Sequence, residues 1–406
     1  MVQIMAVRAE ILSPAGDMEK LNMALLYGAD AVYMAGKAFG MRAAAGNFDN
    51  NELKEAVALC HQKGARAYIT CNIIPGEGDL RQLPQFLEYL QEIGADAVIL
   101  ADLGVLALAK RHAPNLPVHI STQAGVMNSE TANMLCDLGA SRVILARELS
   151  LDSIAAIRAK TPKSLEIETF VHGSMCVSIS GRCLLSNYLA HRDANKGACA
   201  QPCRWKYYLM EEKRPGEYFQ IIDDCGAHIF NSKDLCMIEH IPELLSAGIS
   251  SFKIEGRMKS SYYAAVITNA YKKAQEAVLA GGEVPRVWIE EVYKVSHREY
   301  YTGFYFGDSG KGQYYKDSLY IRDWEVSALV LSCEPDGTAV LSQRNKVIKG
   351  DTVELLSPDG EPRRFIMGDM EDMEGNPLTS TPHPMMCYRA KLPRFAAPNS
   401  ILRKKK

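Results

Sequence analysis

The sequence predicts an α/β protein: a (β/α)8 TIM-like barrel with a long cysteine-rich insertion after its seventh strand, plus a small C-terminal all-β domain. Three observations predict it: a repeated strand signature, helical patterns that alternate with those strands, and a change of character near residue 320. The repeat comes first. Tyr27-Gly-Ala-Asp-Ala-Val-Tyr-Met-Ala-Gly36 is echoed by Ile93-Gly-Ala-Asp-Ala-Val-Ile-Leu-Ala-Asp102, Leu138-Gly-Ala-Ser-Arg-Val-Ile-Leu-Ala-Arg147 and Ala247-Gly-Ile-Ser-Ser-Phe-Lys-Ile-Glu-Gly256. Each reads as a helix C-terminus, a glycine able to take the left-handed cap, and a short apolar strand.

Glu10–Ser13, Arg66–Asn72, Val118–Thr122 and Leu165–His172 supply four more strands. Helical patterns such as Asn51–Lys63, Leu83–Ile93 and Ser129–Leu138 separate them, giving eight βα units. Continuously apolar strands alternating with helices indicate a parallel sheet covered on its outer face, and eight units suit a closed barrel. A doubly wound open sheet is the runner-up, and no Gly-rich dinucleotide fingerprint follows the first strand.

The expected organisation is a barrel over 1–275 with a cysteine-rich loop at about 173–235, a linker over 276–322, and a β-barrel or sandwich over 323–406. The insertion between strands seven and eight, roughly 75 residues, far exceeds an ordinary loop. In the last domain, Val326–Leu331, Thr338–Leu341, Asp351–Leu356 and Arg364–Met367 read as strands broken by Pro-Asp-Gly turns. The tail Arg403-Lys-Lys-Lys406 reads as a solvated end.

With 47% hydrophobic and 23% charged residues over 406 positions, the composition is that of a globular protein. No apolar run is long enough to span a membrane, and the start lacks a signal-peptide pattern, so a cytoplasmic location is expected. A net charge of −2 leaves any RNA binding to a local patch. Eleven cysteines are many for a reducing compartment. Cys60, Cys71, Cys136, Cys333 and Cys387 read as small core residues, whereas Cys176, Cys183, Cys199, Cys203, Cys225 and Cys236 crowd one polar stretch.

Function in such barrels collects at strand C-termini. There the sequence places Asn72, Gln123, Arg147, His172, Glu255 and Arg257. Asn72, Gln123, His172 and Glu255 are candidate catalytic groups; Arg147 and Arg257 are candidate carboxylate or phosphate clamps. Cys176 and Cys183 have six residues between them, Cys199 follows after fifteen more, and Cys203 after another three. Thiolates ligate zinc and iron–sulfur clusters alike; only one tight pair is present, which favours a cluster and keeps zinc as the rival. Cys236 is an alternative ligand. Arg182, Tyr188, Arg192, Lys196, Arg204, Trp205, Lys206 and Tyr207 interleave cations with rings in the same loop, a pattern that suits single-stranded RNA binding and equally a solvated basic loop.

Glu168-Thr-Phe-Val-His-Gly-Ser-Met-Cys176 followed by Gly181-Arg-Cys-Leu-Leu-Ser186 resembles the signature of the collagenase-like U32 peptidase family. Ser13-Pro-Ala-Gly16, Phe39-Gly-Met-Arg42, Asn187-Tyr188, Gly197-Ala-Cys-Ala-Gln-Pro-Cys-Arg-Trp205 and Lys253-Ile-Glu-Gly-Arg257 match it too. Despite the name, the resemblance implies an oxygen-independent hydroxylase. Its length and added β domain resemble the members that form 5-hydroxyuridine at the tRNA wobble position with prephenate.

The resemblance implies a 4Fe-4S cluster on Cys176, Cys183, Cys199 and Cys203. The candidate substrate contacts are Arg147 and Arg257 from the strand ends, Arg182, Arg204 and Trp205 from the loop, and Arg42 from the matching Phe39-Gly-Met-Arg42. Candidate partners are the tRNA anticodon loop, a small anionic co-substrate and a paralogous protein. The competing readings are a peptidase, for which His172 and Cys176 would form a nucleophile pair, and a non-catalytic RNA-binding protein. No His-Glu-x-x-His occurs, and Gly307-Asp-Ser-Gly310 lies in the linker as a chance match to a serine-protease signature.

Overall fold

Helix starts are set by side chains that accept otherwise unpaired N–H groups. The computed structural model describes residues 8–40, 46–176, 183, 185–194, 197–205, 208–210, 212–217, 219–220, 232–307 and 320–406. Among these, Asp17 caps α1 (Met18–Leu26), and Asp49 with Glu52 closes a reciprocal capping box on α2 (Asn50–Gln62). After α3 (Glu77–Leu80) and α4 (Leu83–Glu92), Asp102 caps α5 (Leu103–His112). Asn128 caps α6 (Ser129–Asp137), and Ser150 caps α7 (Leu151–Ala159). At the other end of α1 and α4, Gly28 and Gly94 sit at φ of 99° and 77°, the left-handed turn that the repeat encodes.

The strands between these helices form the barrel. They are β1 (Glu10–Pro14), β2 (Ala31–Ala35), β3 (Arg66–Cys71), β4 (Ala97–Leu100), β5 (Val118–Ile120), β6 (Arg142–Ile144) and β7 (Glu166–Ser174). The insertion adds the short strands β8 (Tyr208–Leu209), β9 (Phe219–Gln220) and β10 (Asp234–Cys236), and the eighth barrel strand is β11 (Ser251–Ile254). β1 to β7 pair in parallel in sequence order. β11 pairs in parallel with both β7 and β1, which closes the barrel as the sequence predicts. β10 runs antiparallel to the end of β7, with β12 (Tyr300–Tyr301) beside it. The insertion also carries α8 (Leu185–Ala190) and α9 (Ile241–Ser246).

The barrel's interior is polar toward the strand starts. Arg142, buried on β6, donates to Glu10 at 2.7 Å and to Glu168 at 2.9 Å. The Tyr68 hydroxyl and Ser251 Oγ also donate to Glu10, and Lys253 donates to Glu168 at 2.7 Å. Outside, α10 (Ser261–Leu279) packs against β1 and α1, with Thr268 Oγ1 2.8 Å from Ser13 Oγ across a buried contact. No described helix is long and apolar enough to cross a membrane.

The chain divides into two units: 1–289 with 297–320, and 290–296 with 321–406. The stretch expected as a linker over 276–322 is thus shared between them, most of it with the barrel. The second unit is an eight-stranded antiparallel sheet curled into a half-barrel. In chain order its strands are β13 (Trp324–Cys333), β14 (Thr338–Gln343), β15 (Thr352–Leu356), β16 (Arg363–Ile366), β17 (Met370–Glu371), β18 (Pro377–Leu378), β19 (Cys387–Lys391) and β20 (Ile401–Lys405). Val330, Leu341, Leu355, Tyr388 and Leu402 build its core.

The tail corrects a sequence expectation. β20 lies between β13 and β15, and Arg403, fully buried, donates to Glu291 at 2.6 Å and to Glu354 at 2.9 Å. A basic end reads as solvated only while its partners, more than forty positions upstream, are ignored.

Candidate functional site

At the C-terminal mouth of the barrel the strand ends enclose a cavity of about 120 Å³. That is space for about four waters or one small molecule. Its wall includes Asn72, Gln123, Arg147, Cys176, Glu255 and Arg257, six residues nominated by the sequence. Tyr33, Thr70, Ser121, Phe170 and Lys253 also line it and were not nominated. Lys253 had a legible signal: with Glu255 and Arg257 it follows the two-residue period of one strand face.

The wall's polar groups are fixed by one another. Arg147 donates from Nη1 to the Ser174 carbonyl at 3.0 Å, and its guanidinium lies 4.0 Å from the Phe170 ring centroid. Its Nη2 stands 3.9 Å from Glu255, and its Nε has no hydrogen-bond partner among the described residues. Arg257, 3% exposed, donates to Thr70 Oγ1 at 3.0 Å. Asn72 Nδ2 donates to Gln123 Oε1 at 2.6 Å, which leaves the Gln123 amide nitrogen without a partner. Lys253 Nζ faces the Tyr33 ring at 4.6 Å while held by Glu168. Donors therefore dominate the cavity, and an acceptor-rich anion is the ligand they suit.

Gly173 lets β7 and β11 approach at the rim. It has φ +109°, and a Cβ there would stand 2.3 Å from the Glu255 carbonyl oxygen. The Glu255 N–H donates to the His172 carbonyl at 2.8 Å, so this close approach aligns Glu255 beside Arg147.

His172 does not line the cavity. Its ring is buried among Tyr263, Tyr271 and Tyr300, with the Tyr300 hydroxyl 3.2 Å from Nε2 and the Tyr271 hydroxyl 3.4 Å from Nδ1. Burial first, then the charges of His297 and Lys259, hold its pKa well below the usual histidine value. Both ring nitrogens face tyrosine hydroxyls, which is not the arrangement of a thiolate–imidazolium nucleophile pair with Cys176. The tyrosines come from positions about a hundred residues on in sequence, so no local pattern announces them.

Among the cysteines, Cys60 and Cys71 are buried, as core residues should be; Cys136, Cys333 and Cys387 are half-buried. Cys236 is half-buried on β10 opposite His172, and desolvation pushes its thiol up to about 12. Cys176 is exposed, and Cys183, Cys199 and Cys203 are half-buried. Burial raises the Cys203 thiol and Arg204 opposes that; Cys176, Cys199 and Cys183 each add to the rise, so four sulfurs share one neighbourhood. The Gln201 N–H donates to Cys199 Sγ at 3.4 Å.

Four thiols with a backbone N–H aimed at one sulfur suit a thiolate-ligated iron–sulfur group. Among the described residues no three His, Cys, Asp or Glu groups already stand in metal-holding geometry. Arg204 is half-buried, donating to Gln201 at 2.9 Å, and Trp205 is 44% exposed. Arg42 and Arg182 lie outside the described residues, as do Lys196, Lys206 and Tyr207.

The family model for Peptidase family U32 matches residues 16–314, and the Peptidase family U32 C-terminal domain matches 322–403. The chain belongs to peptidase family U32. Across that family it is 36% identical to the tRNA hydroxylation protein P1 of Bacillus subtilis, covering 100% of this chain and 96% of that protein. It is 34% identical to the 23S rRNA 5-hydroxycytidine C2501 synthase of Escherichia coli, over 75% of this chain and 46% of that protein. A collagenase of Porphyromonas gingivalis is 33% identical over 73% of each chain. The likeness to the tRNA hydroxylation protein therefore spans both U32 domains.

Proposed function

We propose that this chain is a cytoplasmic RNA hydroxylase acting on tRNA, forming 5-hydroxyuridine at the wobble position without molecular oxygen. The observation that carries the reading is the place of Cys176, which stands in the cavity wall and within the cysteine quartet. Full-length similarity to a tRNA hydroxylation protein supports the substrate class.

In this reading Cys176, Cys183, Cys199 and Cys203 hold a 4Fe-4S cluster, which when bound supplies one-electron chemistry beside the cavity. Arg147 and Arg257 clamp the carboxylates of a small anionic co-substrate, prephenate being the family-derived choice. Glu255 orients Arg147, and the Asn72–Gln123 pair offers an amide donor to a substrate oxygen. The nucleotide has to leave its stack for an atom on the base edge to be reached, and an anticodon loop makes that inexpensive. Trp205 offers a ring face for a splayed base, and Arg204 a cation for its phosphate.

The test is mass spectrometry of tRNA nucleosides from cells lacking this protein, complemented with wild type or Cys176→Ala. Wild type should restore 5-hydroxyuridine and its derivatives; Cys176→Ala should not. Restoration by both variants refutes the role of Cys176. Unchanged nucleosides in the deletion strain, with redundant pathways also removed, refute the tRNA assignment.

A further inference from the structure

Cys203 has charged neighbours that do not line the cavity. Three cations surround Tyr320. Arg204, next to Cys203 in sequence, donates from Nη1 to the Tyr320 hydroxyl at 3.3 Å. Lys259 Nζ stands 4.1 Å from the ring centroid, and the Arg298 guanidinium carbon 4.6 Å. A ring face attracts one cation, but it does not remove the mutual repulsion of three.

Asp234 is a described carboxylate that faces them, and it answers only part of the charge of Arg298. One of its oxygens accepts from the backbone N–H of Arg298 at 3.1 Å. The other is 3.9 Å from Arg298 Nη1, too far for a hydrogen bond, and has no hydrogen-bond partner among the described residues. Arg298 is 2% exposed, and among the described residues its Nε and Nη1 also lack hydrogen-bond partners. A buried guanidinium with two unanswered donors is costly unless something negative completes its surroundings. Cys203 lies within its electrostatic reach, as it does within that of Arg204. Through Arg204, which follows Cys203 directly in the chain and is hydrogen-bonded to Tyr320, the unanswered charge is tied to that cysteine.

We propose that Arg204, Lys259 and Arg298, arrayed on Tyr320, are the counter-charge of an anionic iron–sulfur centre held by the four loop cysteines, and that they raise its reduction potential. The inference rests on the cluster reading above. A centre bound by four thiolates is anionic, and reduction adds one more negative charge. Cations fixed nearby therefore stabilise the reduced form more than the oxidised one, and burial strengthens the effect. Tyr320 is a positioning residue: its hydroxyl holds Arg204 and its ring holds the other two.

The test is a redox titration of the full chain, reconstituted anaerobically with iron and sulfide, followed by electron paramagnetic resonance and visible absorption. Removing charge in Arg298→Gln or Lys259→Gln should move the one-electron equilibrium toward the oxidised form by about tenfold, a fall of about 59 mV. Arg298→Lys keeps the charge and should stay near the wild-type midpoint, whereas Asp234→Asn should shift it upward. Lys259 is half-buried, so its variant decides the matter even if Arg298→Gln does not fold. Unchanged midpoints in Lys259→Gln and Arg298→Gln at full iron content overturn the counter-charge role and leave the cluster standing. A wild-type chain that takes up no iron or sulfide overturns the cluster, and the counter-charge role with it.

Discussion

Replacing Arg142 with methionine should cost the barrel about 3–4 kcal/mol at neutral pH, and the cost should shrink as the solution is acidified. The magnitude follows from counting what the guanidinium leaves behind. Its pairing with Glu166 is discounted, because that carboxylate is 41% exposed and such pairs contribute about 0–1 kcal/mol. Glu168 keeps Lys253. Glu10, whose side chain is 5% exposed, keeps only the hydroxyls of Tyr68 and Ser251 and a half-exposed Arg66 at 3.3 Å. One buried carboxylate thus loses its counter-ion, and breaking a buried pair costs about 3–5 kcal/mol.

The pH sign follows from Glu10. Burial alone would raise its pKa, but the charge and hydrogen bonds of Arg142, with Tyr68, hold it below 4.5. In the wild type its contribution is present above that value and lost as pH falls through the folded pKa. Without Arg142 burial dominates and the folded pKa rises. Protonation then relieves the variant, so the gap narrows as the pH falls through that raised value. Urea unfolding followed by the helical circular-dichroism signal, nearly all of it from the barrel unit, measures both. A loss under about 1 kcal/mol, or a gap that does not change with pH, would refute the argument.

Two further outcomes follow from the site. Gly173→Ala should lose about 1–3 kcal/mol from its positive φ alone, plus the clash with the Glu255 carbonyl, in the same unfolding assay; wild-type stability would mean the strands part easily there. Arg257→Lys should weaken calorimetric binding of a small dicarboxylate about tenfold, since an ammonium cannot reproduce the guanidinium's fork. Equal affinity would place the anion elsewhere.

Much of this was legible because the physics involved is local. The repeat encodes a left-handed cap and an apolar strand within ten residues, so four of the eight barrel strands announce themselves. The rule that barrels work at strand C-termini then brought Asn72, Gln123, Arg147, Glu255 and Arg257 to one cavity. Lys253, Thr70 and Tyr33 were missed because they lie inside the apolar runs, one pleat deeper, where a polar group survives only through a partner on another strand. The burial of His172 depends on Tyr271 and Tyr300, and that of Arg403 on Glu291 and Glu354. Residue type at a strand end therefore describes chemical potential but not surroundings.

The central place of β20 has a consequence for synthesis. A ribosome makes β13 and β14 early, and they can form a hairpin at once. The opposite edge of β13, and one edge of β15, both await residues 401–405. During translation of the intervening stretch these two edges present unpaired N–H and carbonyl groups, which are templates for intermolecular pairing. Stalling or premature termination before residue 401 should therefore produce sticky nascent chains rather than merely shortened ones, and the nascent half-barrel becomes a client for whatever shields open strands at the tunnel exit.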